Sequence, residues 1–201
     1  FLGRSVSDIV AAPEGATLLD PDELEGLRYR HITTREQLNE LEQANLDAGL
    51  LWLGRQKQLE LTVDQMCRLH ARLFGEVWNW AGTFRRTEKT IGVDPLQIGV
   101  QSKILMDDVA WWAEHNTFSP TEAALRFHHR LVQIHLFPNG NGRHARIAAD
   151  ALLEKRFKAP PIDWSGGADL TRNNQRRTQY ILALRAADLQ DYRPLLVFAG
   201  L

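Results

Sequence analysis

Apolar residues recur at helical spacing through most of the chain, broken at a few defined points. Thr34-Arg35-Glu36-Gln37 has the form of a capping box, and Leu38, Leu41, Ala44 and Leu46 follow it near helical spacing. A helix running to about Trp52 is predicted there. Thr62-Val63-Asp64-Gln65 repeats the start signal, and Met66, Leu69, Leu73 and Val77 step by three, four and four, giving one buried stripe. Helical character returns around Ser102 with Ile104, Leu105, Val109 and Trp112. Ser119-Pro120-Thr121-Glu122 combines an N-cap, a first-turn proline and a box glutamate, and Ala124, Phe127, Leu131 and Ile134 continue it. Ile147, Ala148, Ala151 and Leu152 mark a further helix. Another is predicted from about Leu170 to Leu189, and a short one near Pro194–Phe198.

The interruptions are as informative. Gly82 to Gly99 lacks a helical stripe and places β-branched residues between Gly82, Gly92, Pro95 and Gly99, which predicts a short β-hairpin or extended flap. Phe137-Pro138-Asn139-Gly140-Asn141-Gly142 cannot continue a helix. Pro160-Pro161 and Gly166-Gly167 break the chain again. Residues 1–20 are irregular in pattern, and a short acidic helix is expected from Asp22 to Arg28. The fold class is therefore mainly α, with one small β element, in a single domain.

Composition changes this picture little. The 201 residues are 44% hydrophobic and 24% charged, with a formal net charge of -1, which points to neither a dedicated nucleic-acid binder nor a membrane binder. No apolar run is long enough to span a bilayer. The single cysteine, Cys67, cannot form an intramolecular disulfide and fits a reducing compartment, so a cytoplasmic location is expected. The chain opens Phe1-Leu2-Gly3 with neither a methionine nor a signal-peptide pattern, and its start reads as truncated.

The chemistry concentrates at one helix–loop–helix junction, His135-Leu136-Phe137-Pro138-Asn139-Gly140-Asn141-Gly142-Arg143-His144-Ala145-Arg146. Gly140 and Gly142 permit backbone geometries barred to other residues, just ahead of a helix whose unpaired N–H groups favour anions. Such a turn can form a nest for phosphate oxygens. Arg143 and Arg146, three apart, share a helix face and suit phosphate contacts. His135, across the loop, could take a proton from an attacking hydroxyl. Taken singly, each feature has a plainer reading: a glycine turn, a helix-end histidine, a solvated arginine face. Their conjunction in fixed order is what is specific.

The segment resembles the Fic family signature H-x-F-x-[D/E]-G-N-G-R-x-x-R, matching at His135, Phe137, Gly140, Asn141, Gly142, Arg143 and Arg146. Val77-Trp78-Asn79-Trp80-Ala81-Gly82-Thr83-Phe84-Arg85 is similar to the family segment before its flap, and the whole chain resembles a bacterial subgroup labelled mobile mystery protein B. The resemblance implies a Fic-like helical bundle with a β-hairpin flap. Residues 1–30 would be an N-terminal extension, and residues 31–201 the Fic domain, with a core of about 62–190. It implies a protein adenylyltransferase that moves AMP from ATP, with Mg²⁺ or Mn²⁺, to a Ser, Thr or Tyr hydroxyl of a target protein. His135 would be the general base. Asn139, Gly140, Asn141, Gly142, Arg143 and Arg146 would contact the phosphates, Phe137 would anchor the loop, and Asn174 and Tyr180 would contact the nucleoside. Arg85, Thr87, Lys89 and Ile91 would belong to a flap that docks the target as an added strand.

One departure stands out. Asn139 occupies the acidic position whose carboxylate ligates Mg²⁺ in the family, and an amide offers no charge to a hard cation. The alternative function is a nucleotide-binding interaction module with weak or altered transferase activity. The family's inhibitory motif, [S/T]-x-x-x-E-[G/N], has no strict match; a helix with Glu36, Glu40 and Glu42 could supply a degenerate version but reads better as a solvated face. A separate inhibitory partner, as in toxin–antitoxin pairs, is the other option. His128 is expected to pack beside the loop and His129 to face out, and their spacing fits no zinc pattern. Trp78, Trp80, Trp111 and Trp112 read as core or flap packing.

Overall fold

A computed structural model describes residues 20–29, 31–32, 34–166, 170 and 174–201. Its helices are α1 (Pro21–Leu24), α2 (Arg35–Arg55), α3 (Val63–Phe74), α4 (Ile98–His115), α5 (Pro120–Ile134), α6 (Asn141–Leu152), α7 (Gln175–Asp188) and α8 (Arg193–Phe198). The start signals act as the sequence predicts. The side chains of Thr34, Thr62 and Ser119 accept from the N–H groups of Gln37, Gln65 and Glu122 at 3.2, 3.1 and 3.3 Å. Each cap satisfies a first-turn donor that has no partner within its helix.

Helix α5 is the central element. It packs against α4, α6, α7 and α8, while α3 bridges α2 to α6. Its stripe of Ala124, Phe127, Leu131 and Ile134 is fully buried, as are Met66, Leu69 and Leu73 of α3. The helix therefore delivers whatever follows Ile134 to the middle of the molecule.

Several boundaries differ from expectation. The acidic N-terminal helix is one turn, Pro21–Leu24, rather than Asp22 to Arg28. Helix α7 starts at Gln175. Of the segment expected to be irregular over residues 1–20, residues 1–19 lie outside the described residues, as does Gly167. Trp111, expected to pack, is 59% exposed, whereas Trp78 is buried.

The β-hairpin expected over Gly82–Gly99 is absent among the described residues, where the only β pairing is a single bridge between Leu27 and Trp78. The segment is an extended flap, and its hydrogen bonds explain why it forms no ladder. The N–H of Arg85 donates to Leu136 O at 2.9 Å, and that of Val93 to Ile134 O at 3.3 Å. These main-chain N–H groups of the two limbs thus bond to the end of α5 and the residue beyond it instead of to each other. No helix among the described residues is long and apolar enough to cross a membrane.

Candidate active site

His135 closes α5 in the left-handed region, at φ 58° and ψ 65°. The residue is buried, and its Nδ1 lies 3.3 Å from the carbonyl of Val132. A carbonyl can only accept, so Nδ1 carries the ring proton and Nε2 the basic lone pair. Burial lowers the imidazole pKa to about 4, opposed by the Val132 bond and reinforced by Arg85 and Lys89. At neutral pH the ring is uncharged, in the state a general base needs.

The loop after His135 is held from within. Asn141 Nδ2 donates to Phe137 O at 2.7 Å, and the Phe137 N–H donates to Asn141 Oδ1 at 3.0 Å. The Asn141 side chain is consumed in closing the loop, which leaves its main chain as its part of the expected phosphate nest. Gly140 adopts φ 77°, and a Cβ there would lie 2.9 Å from the Phe74 ring. Both the left-handed backbone and the close ring require glycine. Gly142 differs, since a Cβ would only meet Arg146 Nη1 at 3.6 Å. Asn139 turns its Oδ1 onto the Gly140 N–H at 2.6 Å.

Two buried histidines complete the support: His70, which the sequence did not single out, and His144 within the motif. The Gly82 N–H donates to His70 Nδ1 at 3.0 Å, so His70 Nε2 carries the proton it gives to Asn139 O, also at 3.0 Å. His70 stacks on Phe137 with ring centroids 3.7 Å apart. His144 meets Phe137 edge-on and bonds Met66 O at 3.1 Å. The loop is therefore clamped to α3 through two imidazoles.

The two arginines have different surroundings. Arg143 pairs with Glu42 of α2 at 2.7 Å and lies over the Phe74 ring, 4.7 Å from its centroid. Glu42 is buried, which corrects its assignment to a solvated face. Arg146 stands 3.5 Å from the Tyr180 hydroxyl and makes no carboxylate pair among the described residues. Tyr180 is itself buried and bonded to His128 Nε2 at 2.9 Å. It supports Arg146 from behind and offers no open face to a nucleoside. Asn174 caps α7, its Oδ1 accepting the Arg177 N–H at 2.9 Å. His129, expected to face out, is buried between Tyr192 (3.0 Å) and Asp188 (2.9 Å).

On the flap, Arg85 is 2% exposed, and its guanidinium donates to the carbonyls of His135 (2.6 Å), Thr87 (2.8 Å), Ile134 (3.3 Å) and Val93. It is a structural clamp and cannot dock a target. Lys89 is covered, its ammonium paired with Asp20 and Glu23 beside α1, and the Thr87 hydroxyl donates to Asp20 at 2.7 Å. Of the four expected docking residues, Ile91 presents an exposed apolar side chain. No group of three or more His, Cys, Asp or Glu that could hold a metal occurs among the described residues.

The buried imidazoles make the fold sensitive to acid. Burial holds His70, His128, His135 and His144 below the ordinary histidine value, the last two at about 4. In the unfolded chain each would titrate near ~6.5. As pH falls through that value the unfolded state takes up protons first, and stability is lost until the folded-state pKa is reached. Asp150 acts in the opposite sense: burial pushes it up to about 6, so it gains a proton in the fold before the unfolded carboxyl does. Four groups outweigh one. Denaturant melts are expected to lose more than about 3 kcal/mol between roughly pH 7 and 4.5, given ~1.4 kcal/mol per pKa unit. Stability constant over that interval would mean that these imidazoles are charged in the fold.

The profile of the Fic/DOC family matches residues 60–153. Over 199 residues the chain is 28% identical to the protein adenylyltransferase Fic of Drosophila grimshawi, covering 97% of this chain. It spans only 36% of that protein's length. Among solved structures, Fic-1 (residues 134–508) of Caenorhabditis elegans superposes with a TM-score of 0.64 at 25% identity, covering 87% of this chain and 51% of that one. BepC of Bartonella tribocorum, solved with bound AMPPNP, gives a TM-score of 0.65 at 17% identity, covering 94% of each chain, a likeness of fold alone. With the motif folded into a clamped loop between α5 and α6, the chain carries a Fic/DOC family domain.

Proposed function

We propose that the chain transfers AMP from ATP to a Ser, Thr or Tyr hydroxyl of a target protein. The observation that carries this is the placement of His135: a buried imidazole whose Nδ1 lies against the Val132 carbonyl, at the lip of a loop that opens a helix N-terminus. His135 Nε2 takes the proton of the acceptor hydroxyl as its oxygen bonds to the α-phosphorus. The bond from that phosphorus to the bridging oxygen breaks, and pyrophosphate leaves. The first-turn N–H groups of α6, with Arg143 and Arg146, hold the phosphates as charge moves onto the leaving group. Gly142 supports this reading, because neither its backbone nor its neighbours in the protein require glycine. A phosphate drawn close to the backbone would. The name adenylyltransferase borne by the Drosophila relative agrees with the same chemistry.

The residues do not fit a protein-held Mg²⁺. Asn139 offers one neutral amide oxygen, already accepting the Gly140 N–H, whereas Mg²⁺ prefers anionic oxygen. Mg²⁺ or Mn²⁺ would enter with ATP. We also place target docking on the flap around Ile91.

Incubation with α-labelled or γ-labelled ATP tests the proposal. Transfer of the α-label, with an intact-mass gain of one AMP on the acceptor, is expected. Transfer of the γ-label alone would replace the reading with kinase chemistry, and binding without transfer would leave a nucleotide-binding module. The Asn139→Asp variant is expected to raise Mg²⁺-dependent transfer about tenfold, equivalent to ~1.4 kcal/mol in the barrier. An unchanged rate would show that the missing charge is not limiting.

A further inference from the structure

Glu42 is the one carboxylate bound to a motif arginine among the described residues, and it comes from α2, outside the matched segment. Its two oxygens bond to different side chains. Oε1 accepts the Trp78 indole N–H at 2.8 Å, and Oε2 pairs with Arg143 Nη1 at 2.7 Å. The Phe74 ring lies under the same guanidinium and also abuts Gly140 of the nest. Arg143 is therefore fixed by a ring on one side and a buried carboxylate on the other.

We propose that Glu42 is a positioning residue for the nucleotide polyphosphate: it locks the Arg143 guanidinium in one orientation at the mouth of the nest. The inference rests on the nucleotide-transfer reading above. A guanidinium has five donors in a rigid fork, so one bond from Nη1 leaves others for phosphate. An acid that blocked the site would have to leave when nucleotide arrived. Glu42 is tethered at its other oxygen by Trp78 and is 7% exposed, so its departure would break a second buried bond. The pairing also divides labour. Glu42 offsets the charge of Arg143, so long-range attraction of the phosphates falls more on Arg146, which makes no ion pair of that kind among the described residues and is engaged by the Tyr180 phenol and, at longer range, by Asp150.

The test is a double-mutant cycle on the full chain, read by calorimetric ATP binding and by initial rates of AMP transfer. Glu42→Gln is expected to raise both Kd and KM for ATP about tenfold, with a smaller change in kcat. In an Arg143→Gln background the same substitution should add less than about twofold, because its effect runs through Arg143. Trp78→Phe, which keeps the ion pair, should lower Tm and leave ATP affinity within about twofold of wild type. If Glu42→Gln does not fold, Glu42→Asp keeps the charge but retracts it by one methylene, and weakened binding that depends on Arg143 is again expected. Tighter binding in Glu42→Gln would make Glu42 a competitor of the nucleotide and overturn the proposal. Equal weakening in both backgrounds would reduce it to a stability effect and overturn it as well. Wild-type binding with Glu42→Gln unchanged sinks this inference alone, whereas wild-type protein that binds no ATP sinks the transfer reading and this inference with it.

Discussion

Replacing His135 by asparagine should lower AMP transfer by roughly 10²–10⁴-fold, the usual contribution of a positioned base, while ATP binding stays within severalfold. Asparagine is the better first substitution because position 135 sits at φ 58°, a conformation asparagine tolerates and alanine does not favour. His135→Ala should show the same loss with added backbone strain. The pH profile gives an independent check. In the free enzyme His135 titrates at about 4, so kcat/KM should be flat from about pH 8 to about pH 5 and fall only below that. Polyphosphate brings negative charge beside the imidazole, which favours its protonated form, so kcat should break at a higher pH than kcat/KM. Short assays are needed, since the buried histidines erode stability over the same interval. A kcat/KM profile that breaks near ~6.5 would mean an exposed, ordinary imidazole, and transfer that survives in His135→Asn would remove the base altogether.

What the sequence reveals follows from the range of the interactions involved. Thr34, Thr62 and Ser119 are legible because a cap and its donor lie within one turn. The buried stripe of α5 is legible because its period is local. The motif is legible as a string, yet Asn141 shows the limit: its side chain bonds the backbone of Phe137, and nothing in the spelling separates that from phosphate contact. The flap misleads for a related reason. β-branched residues between glycines read as a hairpin, but the acceptors for Arg85 and Val93 lie at and just beyond the end of α5, far along the chain. His70, Glu42 and Tyr180 were missed or misplaced because each acts through tertiary contact. The available signal was a polar residue at helical spacing within an apolar stripe, His70 between Met66 and Leu73 and Glu42 between Leu38 and Leu46.

Arg85 is where the fold and the site meet, and its replacement should have the largest effect on stability. Its guanidinium donates to the carbonyls of Thr87, Val93, Ile134 and His135, and its N–H to Leu136. Ile134 and His135 end α5, where helical carbonyls lack partners and the dipole end is negative, so a buried cation is favoured there. Gly92 confirms how tightly the clamp is enclosed: a Cβ on it would lie 2.3 Å from Arg85 Nη2 and 3.0 Å from the Cβ of His135. Arg85→Met keeps much of the volume but removes the guanidinium donor from the carbonyls of His135, Thr87 and Val93, and should cost about 3–5 kcal/mol in denaturant melts. Arg85→Lys retains the charge, yet one ammonium cannot span the same fork of acceptors, so it should recover only part of the loss. Both variants release the carbonyl that fixes His135 and both limbs of the flap, so kcat should fall at temperatures where the protein is still folded. Amide exchange should quicken first at Arg85 and Val93, whose N–H groups tie the flap to α5. An Arg85→Met protein within about 1 kcal/mol of wild type would mean that water takes over these carbonyls, and that His135 is held by something other than this clamp.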